Sequence, residues 1–266
     1  MGLRAVLVSV DYTDCLKLSL PWNRSHFDTV TVITSTADAP NVKPICEANN
    51  ADVIVTDLFY ARKGDVFAKW PAMEFGLDCI GRKGWLCVMD ADVLWPKNLE
   101  VFIPGRPNIC EFVINGCAFL PGMLYSPLRR MYHTVPQNFD QIPPESEWSK
   151  YPIHKNIAEW AGYTQIFHAS DPVLGPPPWH DITWKTAGGA DSFFQAKWPR
   201  ERKVRPPFEV LHMGPAGANW CGRATPYADG TVPPESGKRA AMVGNIWEKR
   251  QRLRKEGRDQ FEGEKG

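Results

Sequence analysis

Three short apolar runs frame the N-terminal third of the chain. Residues 4–10, RAVLVSV, are apolar at most positions and end at Asp11. Residues 29–34, TVTVIT, and 51–57, ADVIVTD, repeat the pattern, each rich in β-branched side chains. Runs of this kind predict strands. The stretch YTDCLKLSLPWNRSHF between the first two suits a crossover helix and loop, and the polar STADAPN follows the second strand. Over residues 65–81 the period changes: Phe67, Trp70, Met73, Leu77 and Ile80 recur at helical spacing. Pro71 falls in the first turn or two, where proline is tolerated, and Gly81 and Gly84 close the helix. WLCVMD, residues 85–90, is apolar on both faces, as central parallel strands are. The β-α-β-α-β alternation predicts an α/β, Rossmann-like single domain with a mostly parallel central sheet flanked by helices.

Beyond residue 96 the rhythm changes. EFVINGCAFLPGML predicts a strand and turn, followed by the Pro-rich loop TVPQNFDQIPPESEW. Residues 156–170 predict a helix running into a strand, and a short helix starts near Ala190 after an extended loop. FEVLHMG, residues 208–214, predicts a late strand, followed by a Gly-rich loop and a basic helix. Repeats and a clear linker are absent. The expected organisation is one domain over 1–245, with a nucleotide-binding half at 1–96 and an acceptor and catalytic half at 97–245, then a basic tail at 246–266.

Composition narrows the class. Net charge is +1, which disfavours a general polyanion binder. Eleven Trp and 24 Pro point to aromatic-walled clefts and stiff loops rather than a helix bundle. Seven Cys without a CxxC pair, several in apolar runs (Cys79, Cys87, Cys117), predict reduced, buried thiols in a cytoplasmic protein. No apolar run approaches the roughly 18 residues of a membrane span, and the N-terminus is too quickly polar for a signal peptide.

Candidate chemistry begins with Asp90 and Asp92, one residue apart at the end of an apolar strand. Ligands of open α/β sheets collect at the carboxyl ends of parallel strands. Two carboxylates there can share a hard divalent cation whose usual further partner is phosphate; the alternative is that Asp92 caps a short turn. His212 ends another β run, as a packed imidazole or as the third member of an Asp/Asp/His set that suits Mn²⁺ better than Mg²⁺. Asp191 opens a helical run after Gly188 and Gly189. It is either an ordinary N-cap or a general base at the mouth of a cleft.

Taken in order, these features resemble the GT-A class of nucleotide-sugar-dependent glycosyltransferases, in particular its inverting, family-two-like members. VSVDY looks like the nucleotide-binding opening, TSTAD like the loop around base and ribose, and VMDAD like the D-x-D motif. FAKWPAMEFGLDCI resembles the preceding helix, with Lys69 near a position often held by Lys. GGADSFF resembles the base motif, although Ala190 stands where the family often has Glu. VLHMGP resembles the strand whose histidine completes the metal site. The likeness spans roughly residues 3–223.

This resemblance implies roles. Ser9, Asp11 and Asp38 would face base and ribose of a UDP-sugar, with Asp90 and Lys69 nearby. Asp92 and His212, with Asp90, would hold Mn²⁺ or Mg²⁺ against the diphosphate. Asp191 would deprotonate the acceptor hydroxyl. Arg223 would close over the phosphates, or else form a surface salt bridge. Trp179, His180 and Trp184 would form an acceptor wall, or else pack a Pro-rich loop.

The acceptor is less legible. Residues 248–258 carry six Lys/Arg against two Glu, either a solvated helix face or a phosphate-backbone contact. The resemblance extends to small viral enzymes that glycosylate hydroxymethylated bases, which makes duplex DNA the leading acceptor and a cytosolic saccharide or protein the alternative. No membrane partner is expected. Two rival classes stand beside the transferase: a nucleotidyltransferase, disfavoured because VSVDYTDC lacks a Gly-rich loop, and a non-catalytic nucleotide-sugar binder.

Overall fold

The computed structural model describes residues 2–99, 101–102, 112–132, 142–153, 163–214, 218–227 and 229–255. The first half runs β1 (Leu3–Val8), α1 (Thr13–Asn23), β2 (Thr29–Thr34), α2 (Ala39–Ala48), β3 (Asp52–Val55), α3 (Lys69–Ile80) and β4 (Trp85–Asp90). Then come the short strands β5 (Val93–Leu94), β6 (Val101–Phe102), β7 (Phe112–Ile114), β8 (Cys117–Phe119), β9 (Leu124–Tyr125) and β10 (Leu128–Met131). The chain continues through β11 (Thr164–His168), α4 (Ala190–Ala196), β12 (Lys203–Val204), β13 (Glu209–His212) and α5 (Ser236–Lys255).

The central sheet has seven strands in the order β12-β9-β11-β4-β1-β2-β3. The first four strands of the chain are mutually parallel, and β11 joins the far side of β4 antiparallel. Side chains alternate between its faces. Leu3, Ala5, Leu7, Trp85, Cys87 and Met89 pack on one side with Leu16 and Leu20 of α1 and Val42 and Cys46 of α2. Val6, Val8, Leu86 and Val88 pack on the other with Trp70, Met73 and Leu77 of α3 and Phe194 of α4. Burial on both faces is why these strands read as near-continuous apolar runs.

Two small three-stranded sheets complete the domain, β10-β13-β5 and β6-β7-β8. The first lies beside the carboxyl end of β4. Its strand β5 follows Asp90 after a two-residue turn, and β13 pairs with β5 antiparallel, His212 opposite Val93.

The expected strands and the 65–81 helix are present, the helix starting later, at Lys69. Helix α2 was not expected. Pro40 lies in its first turn and Pro44 inside it, and these prolines mask a weak apolar stripe. The helix expected from residue 156 falls within 154–162, outside the described residues, as does the tail beyond 255. The six described cysteines are free, and Cys15, Cys46, Cys87 and Cys221 are buried. Cys79 departs from expectation: it is exposed, on the outer side of α3. No helix among the described residues is long and apolar enough to cross a membrane.

Candidate metal centre

Asp90 closes β4, where its backbone N–H donates to the Tyr163 carbonyl at 3.0 Å. Its side chain is about one-third exposed and accepts from Lys69 Nζ at 2.5 Å. Lys69 is buried at the start of α3, so the ammonium holds the Asp90 carboxylate in place at the strand end.

Asp92 is buried two residues on. Its carbonyl accepts the Met213 N–H at 2.8 Å, so the backbone just after β13 is stitched to it. That stitch brings His212 alongside, with Nε2 3.6 Å from Asp92 Oδ1. The other ring nitrogen, Nδ1, lies 2.7 Å from the Gly214 carbonyl. A carbonyl only accepts, so Nδ1 carries the proton, and in the neutral ring Nε2 presents a lone pair to the carboxylates. One ligand atom from each of Asp90, Asp92 and His212 lies within 4.8 Å of the others. Two hard oxygens and one imidazole nitrogen whose second nitrogen is anchored to a carbonyl form a donor set that fits a divalent cation.

The turn carrying Asp92 is held from beneath by α1. Ser19 Oγ donates to the Ala91 carbonyl at 2.6 Å. Asn23 donates to the Val93 carbonyl at 2.7 Å and accepts the Trp95 N–H at 2.8 Å. Trp22 Nε1 donates to the Trp95 carbonyl at 2.6 Å. Ser19 and Asn23 stand four residues apart on the buried side of the helix, so one helical face satisfies the turn's buried polar groups. Gly214 fits because it has no side chain: a Cβ there would lie 2.5 Å from Asp92 Oδ2.

The expected nucleoside residues lie on the neighbouring strand ends. Asp38, buried, accepts the Asp11 N–H at 2.8 Å. Burial pushes the Asp38 carboxyl up, and the Asp11 hydrogen bond works against that shift. Asp11 has φ 59°, a left-handed conformation that Asp tolerates better than most residues. Its Oδ2 is 3.2 Å from Arg239 Nη1 of α5. Ser9 is fully buried, and its hydroxyl has no hydrogen-bond partner among the described residues. Tyr12 links the two groups. Burial pushes its phenol well up, with Asp92 and Asp90 adding to the shift, and its ring lies against Arg223, whose Cζ is 4.6 Å from the ring centre.

Asp191 is in the first turn of α4 and half-buried, with Oδ1 accepting the Ser192 N–H at 2.9 Å. Its carbonyl accepts from Gln165 Nε2 at 3.4 Å, and Gln165 pairs in register with Val88, two residues before Asp90. The glycines before it answer to two indoles: Cβ atoms at Gly188 and Gly189 would lie 2.6 Å from Trp220 and 2.5 Å from Trp184.

Two sets of candidate residues are buried in the protein. Arg223 forms a buried pair with Asp14, not a surface one. It is 1% exposed, and its five N–H donors have partners within the protein: the Thr225, Asp11 and Pro226 carbonyls and both oxygens of Asp14, each of the latter at 2.8 Å. It clamps the 223–226 loop to the start of α1. Trp179, His180 and Trp184 are buried. His180 stacks between Trp70 and Phe194, with ring centres 4.5 and 4.1 Å away. Its Nδ1 is 2.6 Å from Glu74 Oε1, and the Glu74 carboxylate also accepts the Trp179 and His180 N–H groups, each at 2.9 Å. Burial works against the charged carboxylate, yet the His180 hydrogen bonds and Arg82 hold Glu74 down at about 2. Glu74 thus ties the Pro-rich loop to α3. Its place among the buried residues of that helix was the sequence signal for such a tether.

No protein-family model and no curated protein sequence matches the chain. Similar solved structures include 4-diphosphocytidyl-2C-methyl-D-erythritol synthase from Anaerococcus prevotii DSM 20548, at 10% identity and TM-score 0.34, covering 93% of this chain and 98% of that one. Mannose-6-phosphate isomerase from Helicobacter pylori matches at 10% identity and TM-score 0.31, covering 64% of this chain and 71% of that one. Likenesses at this level carry no argument about what this chain does.

Proposed function

We propose that the chain is a metal-dependent glycosyltransferase of the GT-A kind, moving a sugar from a nucleotide-sugar donor, a UDP-sugar first, to an acceptor hydroxyl. The observation that carries the reading is the convergence of Asp90, Asp92 and His212 at the carboxyl end of β4. That is where an open, Rossmann-like sheet binds a nucleotide. The sheet order, with an antiparallel strand beside β4, is in keeping with it.

Asp90, Asp92 and the Nε2 of His212 would hold Mn²⁺ or Mg²⁺. When bound, the cation supplies positive charge against the diphosphate. Lys69 holds Asp90 in place. The Gly214 carbonyl keeps the proton on Nδ1 of His212, so Nε2 stays free to bind. Asp11, Asp38 and Tyr12 border the nucleoside. The Asp191 carboxylate takes the proton from the acceptor hydroxyl. The acceptor oxygen bonds to the anomeric carbon as the bond from that carbon to the phosphate oxygen breaks, and the electron pair leaves with the nucleoside diphosphate. A hydroxymethylated pyrimidine in duplex DNA is the first acceptor to test, on the basic run shared by α5 and the tail.

The test is nucleoside diphosphate release from a panel of sugar nucleotides, with and without Mn²⁺. Metal-dependent hydrolysis of one donor supports the reading. Pyrophosphate release in the presence of a nucleoside triphosphate points to a nucleotidyltransferase, and no release with intact donor binding points to a binder.

A further inference from the structure

Arg129 lies on the strand that pairs with the strand of His212 and is not one of the three candidate ligands. It is the second residue of β10 and is 8% exposed. In the β10–β13 ladder Arg129 pairs with Val210 and Met131 with His212. Side chains two residues apart on a strand share a face, so Arg129 projects from the face of the small sheet that carries His212. Its guanidinium stacks on Tyr163, with Cζ 4.4 Å from the ring centre, and the Tyr163 carbonyl receives the Asp90 N–H. Among the described residues, the guanidinium makes no hydrogen bond or ion pair.

This is an unusual position for a guanidinium. Its side chain is largely withdrawn from water, and N–H donors that lose water without gaining acceptors cost free energy. Burial pulls its pKa down, and the charges of Tyr163, Asp90, Asp92 and Asp191 push it back up. Arg129 therefore feels three carboxylates and pairs with none of them. A fork of donors held near a cation-binding cluster, yet apart from it, is complementary to an anion that also binds that cation. Phosphate matches the planar fork, and a diphosphate has more oxygens than one cation can engage.

We propose that Arg129 is a phosphate-binding residue of this site, taking non-bridging oxygens of the donor's diphosphate. The proposal rests on the reading above for the diphosphate but makes its own claim about anion binding.

The test is calorimetric titration of the 266-residue chain and of its Arg129→Lys and Arg129→Met variants, with Mn²⁺ alone, then with UDP and with inorganic pyrophosphate at saturating Mn²⁺. Thermal unfolding reports on folding, and Arg129→Lys serves where Arg129→Met does not fold. Expected are Mn²⁺ affinities within about twofold of the parent. Affinity for both anions should fall about 10- to 100-fold in Arg129→Met and less in Arg129→Lys, as for a lost charge-assisted pair of hydrogen bonds. Unchanged pyrophosphate and UDP affinities in the folded variants overturn the proposal. Pyrophosphate binding that depends on Arg129, with no nucleoside diphosphate bound, supports it and overturns the sugar-nucleotide reading instead. A parent that binds neither anion overturns both.

Discussion

His212 Nε2 and Asp92 Oδ1 face each other across 3.6 Å, while His212 Nδ1 is committed to the Gly214 carbonyl 2.7 Å away. Two acceptors turned toward each other repel unless a proton or a metal ion lies between them. The arrangement is built by the backbone: β13 pairs with β5, Met213 N–H reaches the Asp92 carbonyl, and α1 supports the turn from below.

Gly214→Ala tests the close approach at Asp92. The added Cβ meets the end of a side chain, 2.5 Å from Oδ2, so the carboxylate can swing away. Thermal stability is expected to change by less than about 1 kcal/mol, the usual size for a change that leaves the core intact. Mn²⁺ affinity is expected to fall about tenfold or more, the scale of losses when groups around a metal ligand are disturbed. Unchanged affinity by calorimetry counts against Asp92 as a ligand.

Asn23→Ala removes both a donor to Val93 and an acceptor for Trp95. Buried partners are then left unpaired, and denaturant unfolding should show a loss of about 2–4 kcal/mol. Metal affinity should fall with it, since the turn loses a support. Stability within 0.5 kcal/mol of the parent, on the scale of about 1 kcal/mol per net hydrogen bond, contradicts the support role.

Arg223→Met separates a structural clamp from a phosphate contact. Asp14 loses its bidentate partner inside the protein. Breaking a buried pair on one side costs about 3–5 kcal/mol. The expected result is a large drop in melting temperature, with UDP affinity at low temperature little changed in the folded fraction. The reverse pattern restores Arg223 to the donor site.

Acid lability follows from Glu74 and His180. Glu74 has its folded-state pKa depressed from 4.5 to about 2, so its contribution is present above 4.5 and is lost as pH falls through the folded value. A shift of that size corresponds to about 3 kcal/mol. Burial lowers the His180 pKa below 6.5, so the unfolded chain takes up its proton first, and stability again falls as pH drops below that value. Both groups act in the same direction. Glu74→Gln should flatten the acid limb of stability against pH measured by urea unfolding, and an unchanged limb refutes the linkage.

Much of the N-terminal half was legible because its strands are buried on both faces and read as plain apolar runs. The prolines of α2 concealed a helix, and nothing local marks β11 as antiparallel. Asp90, Asp92 and His212 were visible because acidic residues and a histidine stood out at the ends of apolar runs. Ser19, Asn23, Gly214 and Arg129 were not, since each matters only through the long-range pairing of α1, β5, β10 and β13 with the turn after β4. The aromatic loop at 179–184 misled because tryptophan and histidine suit a cleft wall and a core alike. The buried Glu74 decides for the core.

The most direct measurement is Mn²⁺ titration of the intact protein, followed by electron paramagnetic resonance of free Mn²⁺, for the parent, Asp92→Asn and His212→Gln. The account predicts one bound ion per chain in the parent and affinity about 10- to 100-fold weaker in each variant, with melting temperatures that show both variants folded. A parent that binds no ion, or variants that bind it equally well, contradicts the assignment of a metal centre to these side chains.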